Sequence, residues 1–215
     1  MFKSKVVIKK YFPAFWIIAI FISCSTILPP KVENGTYINP EFGFSVKIPD
    51  GWMHSKSIPP WVVEEIPYLE RSHLKFMFTN NELQLGIMSK GRILASCSKL
   101  DVPWQKLLLS WEKVRTILIK KLEKNKTLAN KKYSLKKYSY RTYNRSKNLN
   151  LIPACYEEID AYHLKLLRKS FYYKCSDHMA CNITFFAIST PEMYQINSKA
   201  YRKMIQTFKI INNED

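Results

Sequence analysis

The sharpest chemical pattern in the chain is Cys175-Ser176-Asp177-His178-Met179-Ala180-Cys181, two thiols bracketing an imidazole. Thiolate and imidazole are ligands that zinc prefers, and Cys155 or Cys97 would complete a set of four. The spacing lacks the tight cysteine-x-x-cysteine knuckle of structural zinc sites, and a disulfide needs no metal. Cys175 and Cys181 fall between two strand-like segments, so they stand opposite one another across a hairpin. A Cys175–Cys181 bridge is therefore the first expectation. Four cysteines allow three connectivities, and Cys97 with Cys155 follows by elimination. No metal or cofactor is expected. The alternative is a metal-dependent module or enzyme using His178 with Cys175 and Cys181.

A basic stretch offers a second chemistry. Between Lys113 and Lys147 thirteen Lys or Arg stand against the single acid Glu123. Tyr133, Tyr138, Tyr140 and Tyr143 are interleaved with Lys131, Lys132, Lys136, Lys137, Arg141 and Arg145. Those six cations are the candidate residues for an anionic surface, each worth about 1 kcal/mol against an anionic leaflet. The plainer alternative is a solvated strand face whose tyrosines pack inward.

Elsewhere the chain offers little reactive chemistry. His163 follows Asp160 along a strand, but alternation sets the two on opposite faces. No serine stands in a nucleophile elbow and no glycine-rich phosphate loop exists in a chain of five glycines. No catalytic residue is expected. Trp61 to Leu69 is too broken by proline for a long helix and too apolar for an ordinary loop, so it either completes the core or offers a patch to a partner.

Which anion matters depends on the compartment, and Cys24 bears on that. Lys3, Lys5, Lys9 and Lys10 precede an apolar run from Tyr11 to Ser23, which ends at Cys24. Basic region, apolar region and a small residue before the cut are the parts of an export signal. The segment resembles a bacterial lipoprotein signal peptide, with Phe21 and Ile22 bulkier than the residues usual there. That resemblance implies a signal peptide over residues 1–23 and lipidation of Cys24, whose acyl chains would anchor the protein at about 0.8 kcal/mol per buried methylene. Two alternatives stay open. One is cleavage after Ser25 without lipid. The other is an uncleaved anchor over Tyr11 to Leu28, shorter than the roughly 20 apolar residues of a spanning helix. All three export the chain to the cell envelope, and Ser25 after Cys24 does not suggest retention at an inner membrane, so the outer membrane is favoured. Disulfides persist there, and a nucleic acid is not an expected partner.

Loss of residues 1–23 leaves about 190 residues, the size of one domain. The full chain's net charge of +17 drops by the four signal lysines, and the mature protein remains strongly basic. Residues 24–35, with Pro29-Pro30 and Asn34-Gly35, read as lipidated cysteine and tether, and residues 36–215 as the domain. Phe44, Val46 and Ile48 alternate with Ser45 and Lys47, which predicts a strand stopped by Pro49-Asp50-Gly51. Residues 73–79 and 83–90 read as a hairpin around Asn80-Asn81-Glu82. Asp101 is the expected N-cap of a helix to about Lys124, with Trp104, Leu108, Trp111, Leu118 and Leu122 on one face. Strands are expected over 131–144, 150–163, 166–175 and 179–188, and a last helix after Thr190-Pro191-Glu192. The fold class is α+β, a mixed, mainly antiparallel sheet of about six or seven strands with two main helices packed on it.

Tyr37, Asn39, Gly43-Phe44-Ser45-Val46, Ile48-Pro49 and Gly51-Trp52 make an opening hairpin, and Ala200 to Met204 run into Thr207-Phe208-Lys209-Ile210-Ile211 at the other end. On these residues the domain resembles the PsbP-like family, which includes many small bacterial lipoproteins of the DcrB kind and, more distantly, a Ran-binding nuclear import factor. The resemblance speaks to fold and very little to chemistry. Together with the signal it leads to the expectation of a membrane-anchored, non-enzymatic binding or accessory module at the envelope. Its expected partners are the membrane, through the lipid anchor, and an envelope protein or anionic envelope polymer.

Overall fold

Asn34-Gly35 opens the fold with paired positive φ angles of 47° and 69°, the combination a two-residue hairpin turn demands. The turn folds strand β1 (Lys31–Glu33) back on β2 (Thr36–Asn39). Residues 31–35, read as tether, are therefore strand and turn. A computed structural model describes residues 28–55, 57–58, 60, 73–80, 83–84, 87–88, 91–144, 150–176 and 178–211. Strand β3 (Phe44–Lys47) pairs with β2, and its buried Phe44 and Val46 alternate with Ser45 and Lys47 as expected. Gly43 at the preceding turn has φ 61°, and a Cβ there would come within 3.1 Å of the Ile211 carbonyl oxygen. Both constraints favour glycine.

The principal sheet comprises β4 (Met53–Ser55), β5 (Leu74–Asn80), β8 (Gly91–Leu100), β9 (Leu135–Thr142), β10 (Leu151–Ala161), β11 (Lys165–Ser176) and β12 (Met179–Ser189). Its spatial order is β4-β5-β8-β12-β11-β10-β9, and every described pairing is antiparallel. The short β6 (Leu83–Gln84) and β7 (Ile87–Met88) pair with each other. The expected hairpin between 73–79 and 83–90 is thus corrected: β5 takes β8 as its partner. Strand β8 was not legible because Ile93 to Cys97 are buried without a break. A strand covered on both faces loses the period-two signal by which strands are recognised.

Each face of this sheet has its own cover. On one face, Tyr37, Phe44 and Val46 of the small sheet pack against Phe76, Phe78, Cys97, Phe171 and Phe185. The Tyr37 and Phe76 rings lie 4.5 Å apart, and Phe76 stacks on Phe78 at 4.6 Å. Helix α3 (Tyr194–Gln206) adds buried Tyr201, Met204 and Ile205 to this side. Strand β13 (Lys209–Ile210) then returns to pair with β3, closing a four-stranded sheet in the order β1-β2-β3-β13.

Helices α1 (Trp104–Leu109) and α2 (Trp111–Lys132) belong to the opposite face. The single expected helix is split at Ser110, whose hydroxyl donates to the Lys106 carbonyl at 2.8 Å. Pro103, not Asp101, precedes the first helical residue, and no side chain caps that end. Trp104, Leu107, Trp111 and Leu118 pack on Ile152, Ala154 and Ala180. Truncating a buried tryptophan such as Trp111 to alanine typically costs about 3–5 kcal/mol. Helix α2 continues beyond Lys124 to Lys132, so Lys131 and Lys132 sit in its last turn rather than in a strand. Cations there offset the negative pole of the helix.

Candidate functional site

The basic residues divide according to strand alternation and the end of α2. In the ladder β9-β10-β11, Arg141 lies opposite Tyr156, and Tyr156 opposite Lys169. Residues directly opposite share a face, so Arg141, Tyr156 and Lys169 form a row on the α3 side of the sheet. Tyr138 and Tyr140 point to the α2 side. There the Tyr138 hydroxyl donates to the Leu122 carbonyl at 3.0 Å and also bonds Glu157, while the Tyr140 hydroxyl bonds Glu123. Two of the four tyrosines of the basic stretch, Tyr138 and Tyr140, thus serve to seat the helix.

Helix α3 closes a cleft over the Arg141-Tyr156-Lys169 row. Its buried Tyr201 and Ile205 face the sheet, and Arg202 and Gln206, one turn apart, overhang the row. The open cleft has a volume of about 450 Å³ and is also lined by Ser139. Arg141 and Arg202 are exposed, whereas Lys169 is half-buried. The Arg141 guanidinium lies 5.2 Å from the centre of the Tyr156 ring and 5.2 Å from that of Tyr143. Lys169 Nζ sits 5.0 Å over the Phe171 ring. None of these three cations has a carboxylate partner among the described residues.

Two effects disfavour the charged form of Lys169. Burial, and after it the positive charge of Arg141, pull its ammonium below the usual lysine range. On the same face Glu158 accepts from Tyr156 at 3.2 Å and from Tyr194 at 2.6 Å and forms no ion pair with Lys169. Burial and this carboxylate raise the Tyr156 phenol, so it stays a neutral donor. Two guanidiniums and an ammonium against the single carboxylate of Glu158 leave the cleft net positive, the electrostatics of an anion site.

Lys137 shares the cleft face with Arg141 by alternation along β9, and Lys136 takes the opposite face, 4.5 Å from the Tyr162 ring. Lys131 and Lys132 lie at the C-terminal end of α2. Arg145, Cys24 and Trp61 to Leu69 lie outside the described residues. Sequence reasoning grouped six cations by proximity along the chain and missed Lys169 and Arg202. One signal for Lys169 was present: it interrupts the inward row Leu167, Phe171, Tyr173 of β11. Nothing in the local sequence marks Arg202.

The cysteines divide as two and two. Cys175 and Cys181 are disulfide-bonded across the β11-β12 hairpin, with Cα atoms 5.7 Å apart. A bulge between Lys174 and Ser176 lets Cys175 reach its partner. The expected second bridge is corrected, because Cys97 and Cys155 are buried free thiols. They lie on strands three places apart, separated by β12 and β11, and on opposite faces of the sheet. Three strand spacings are about 14 Å, twice the largest Cα separation a disulfide spans. With both its thiols bonded, the Cys175-His178-Cys181 pattern cannot supply thiolates to zinc. Among the described residues no cluster of three His, Cys, Asp or Glu could hold a metal ion, and no helix is long and apolar enough to cross a membrane.

No family model and no curated protein matches the chain. Among solved structures it is similar to cyanobacterial PsbP (CyanoP) from Synechocystis sp. PCC 6803, at 13% identity and a TM-score of 0.40, over 81% of this chain and 91% of that one. It is also similar to an E65A mutant of Mog1, at 9% identity and 0.36, over 86% and 98%. The Ran-binding protein Mog1p of Saccharomyces cerevisiae aligns at 7% identity and 0.37, over 85% and 97%.

Proposed function

We propose that this chain is a bacterial lipoprotein anchored through Cys24, and that it acts at the cell envelope as a non-enzymatic module binding anionic envelope material along its basic edge. The observation that carries the reading is the run of four exposed lysines, Lys131, Lys132, Lys136 and Lys137, at the end of α2 and the start of β9. The Arg141-Lys169-Arg202 cleft adjoins this edge, on the face of β9 that Arg141 shares with Lys137. Attraction of about 1 kcal/mol per cation near an anionic leaflet makes four such lysines sufficient for measurable adsorption. The Cys175–Cys181 bridge supports an oxidising compartment.

Two experiments test the proposal. Palmitate labelling in a bacterial host should mark the native chain and not Cys24→Ala, and equal labelling of both would remove the anchor. Sedimentation with phosphatidylcholine vesicles containing phosphatidylglycerol should show binding that falls steeply with salt. Exchange of Lys131, Lys132, Lys136 and Lys137 for glutamate should abolish it, and binding that survives the exchange would refute the role of the edge.

A further inference from the structure

The cleft has features that a diffuse basic surface does not need. Lys169 is half-buried on an inward row of β11, a costly place for an ammonium unless something compensates it. The two guanidiniums approach from different elements, Arg141 from the edge strand and Arg202 from the helix, so they converge on one space instead of lining a plane. Guanidinium forks match tetrahedral oxyanions by paired hydrogen bonds, and a lysine adds a point charge. Three cations suit a dianion better than a carboxylate or a phosphodiester, each of which carries a single charge.

The size of the cleft also bears on the ligand. A volume of about 450 Å³ is within the range of about 300–1,000 Å³ of small-molecule clefts, and it is several times what the five atoms of a phosphate group fill. The remaining lining is mixed. The Tyr156 ring and the Ile205 side chain supply flat and apolar surface, while Ser139 and Gln206 have side chains that form no hydrogen bond to a described residue. A ring with an apolar face and hydroxyls at its rim, as in a pyranose, matches that lining.

We propose that the cleft formed by Arg141, Lys169 and Arg202, with Tyr156, Ser139 and Gln206, binds a phosphate monoester carried on a sugar ring, the cations holding the phosphate and the remaining groups the ring. This rests on the basic-edge reading above and gives it a specific ligand class. The source of the group is either a free sugar phosphate or a phosphorylated sugar at a lipid surface.

The test is calorimetric titration of the full chain with glucose 1-phosphate, glucose and inorganic phosphate. Glucose 1-phosphate should bind saturably and at least tenfold more tightly than either fragment. Lys169→Met and Arg202→Gln, which keep the side-chain volume, should each weaken it at least tenfold while leaving the circular dichroism and the phosphatidylglycerol-vesicle binding unchanged. The four-lysine exchange should do the reverse, abolishing vesicle binding and sparing glucose 1-phosphate, so failure of the cleft and failure of the edge give different results. In a further arm, vesicles carrying lipid A compete with glucose 1-phosphate if the natural source is a surface and do not if it is soluble. Absence of saturable binding, equal affinity for inorganic phosphate, or undiminished binding by Lys169→Met would overturn the proposal.

Discussion

Beneath helix α2, Glu157 and Arg168 form an ion pair at 2.9 Å with both side chains almost wholly withdrawn from water, 2% and 3% exposed. Removing one member strands a charge in a low-dielectric interior, which costs about 3–5 kcal/mol. Replacing both with apolar residues of similar volume removes the two desolvation penalties together and is commonly neutral or stabilising. Arg168→Met and Glu157→Leu should therefore each lower stability by about 3–5 kcal/mol, and the double variant should lie near the parent. The Tyr138 hydroxyl retains a partner in the double variant, since it also donates to the Leu122 carbonyl. Urea unfolding followed by tryptophan fluorescence is the assay. With a slope of about 2 kcal/mol per molar urea, each single variant should move the midpoint down by about 1.5–2.5 M. Singles costing under about 1 kcal/mol, or a double variant equal to the sum of the singles, would refute the view of Glu157 and Arg168 as a closed, mutually dependent pair.

Three further outcomes follow from the packing. The loop closed by the Cys175–Cys181 bridge spans a sequence separation of 6, so exchanging both for serine should cost about 2 kcal/mol by loop-closure entropy. Under denaturing conditions without reductant, two reactive thiols are expected from Cys97 and Cys155 when Cys24 carries lipid or is cut away with the signal, and three when Cys24 is retained with a free thiol; none from those two under native conditions, because both are buried. Gly91 lies directly against Asn197 of α3, where an added Cβ would collide with the amide group. Gly91→Ala should lower the urea stability by about 1–3 kcal/mol, the usual cost of overpacking, and an unchanged midpoint would show that α3 is free to shift.

Alternating positions carried much of the fold openly in the sequence. Phe44 and Val46, and strand β10, announce one-sided burial through their period of two, and the α+β class follows from the succession of strand and helix segments. Cys175 and Cys181 were legible as a pair because a hairpin brings nearby positions together whatever the rest of the chain does. The partner of β5 was not legible, because β8 is buried on both faces and so lacks the period-two signal of a strand.

Charge was legible in amount but not in direction. Composition alone shows a strongly basic segment, and residue spacing shows that β9 must split its lysines between two faces. Only tertiary packing selects Arg141 from that segment, adds Lys169 from a neighbouring strand and Arg202 from a helix sixty residues further on, and aims the three at one space. The same long-range arrangement separates Cys97 from Cys155, since strand order and facing are properties of the assembled sheet. Local sequence determines which residues alternate and where the chain turns; which alternating rows meet depends on non-local pairing, whose free energy is shared among residues distant in sequence.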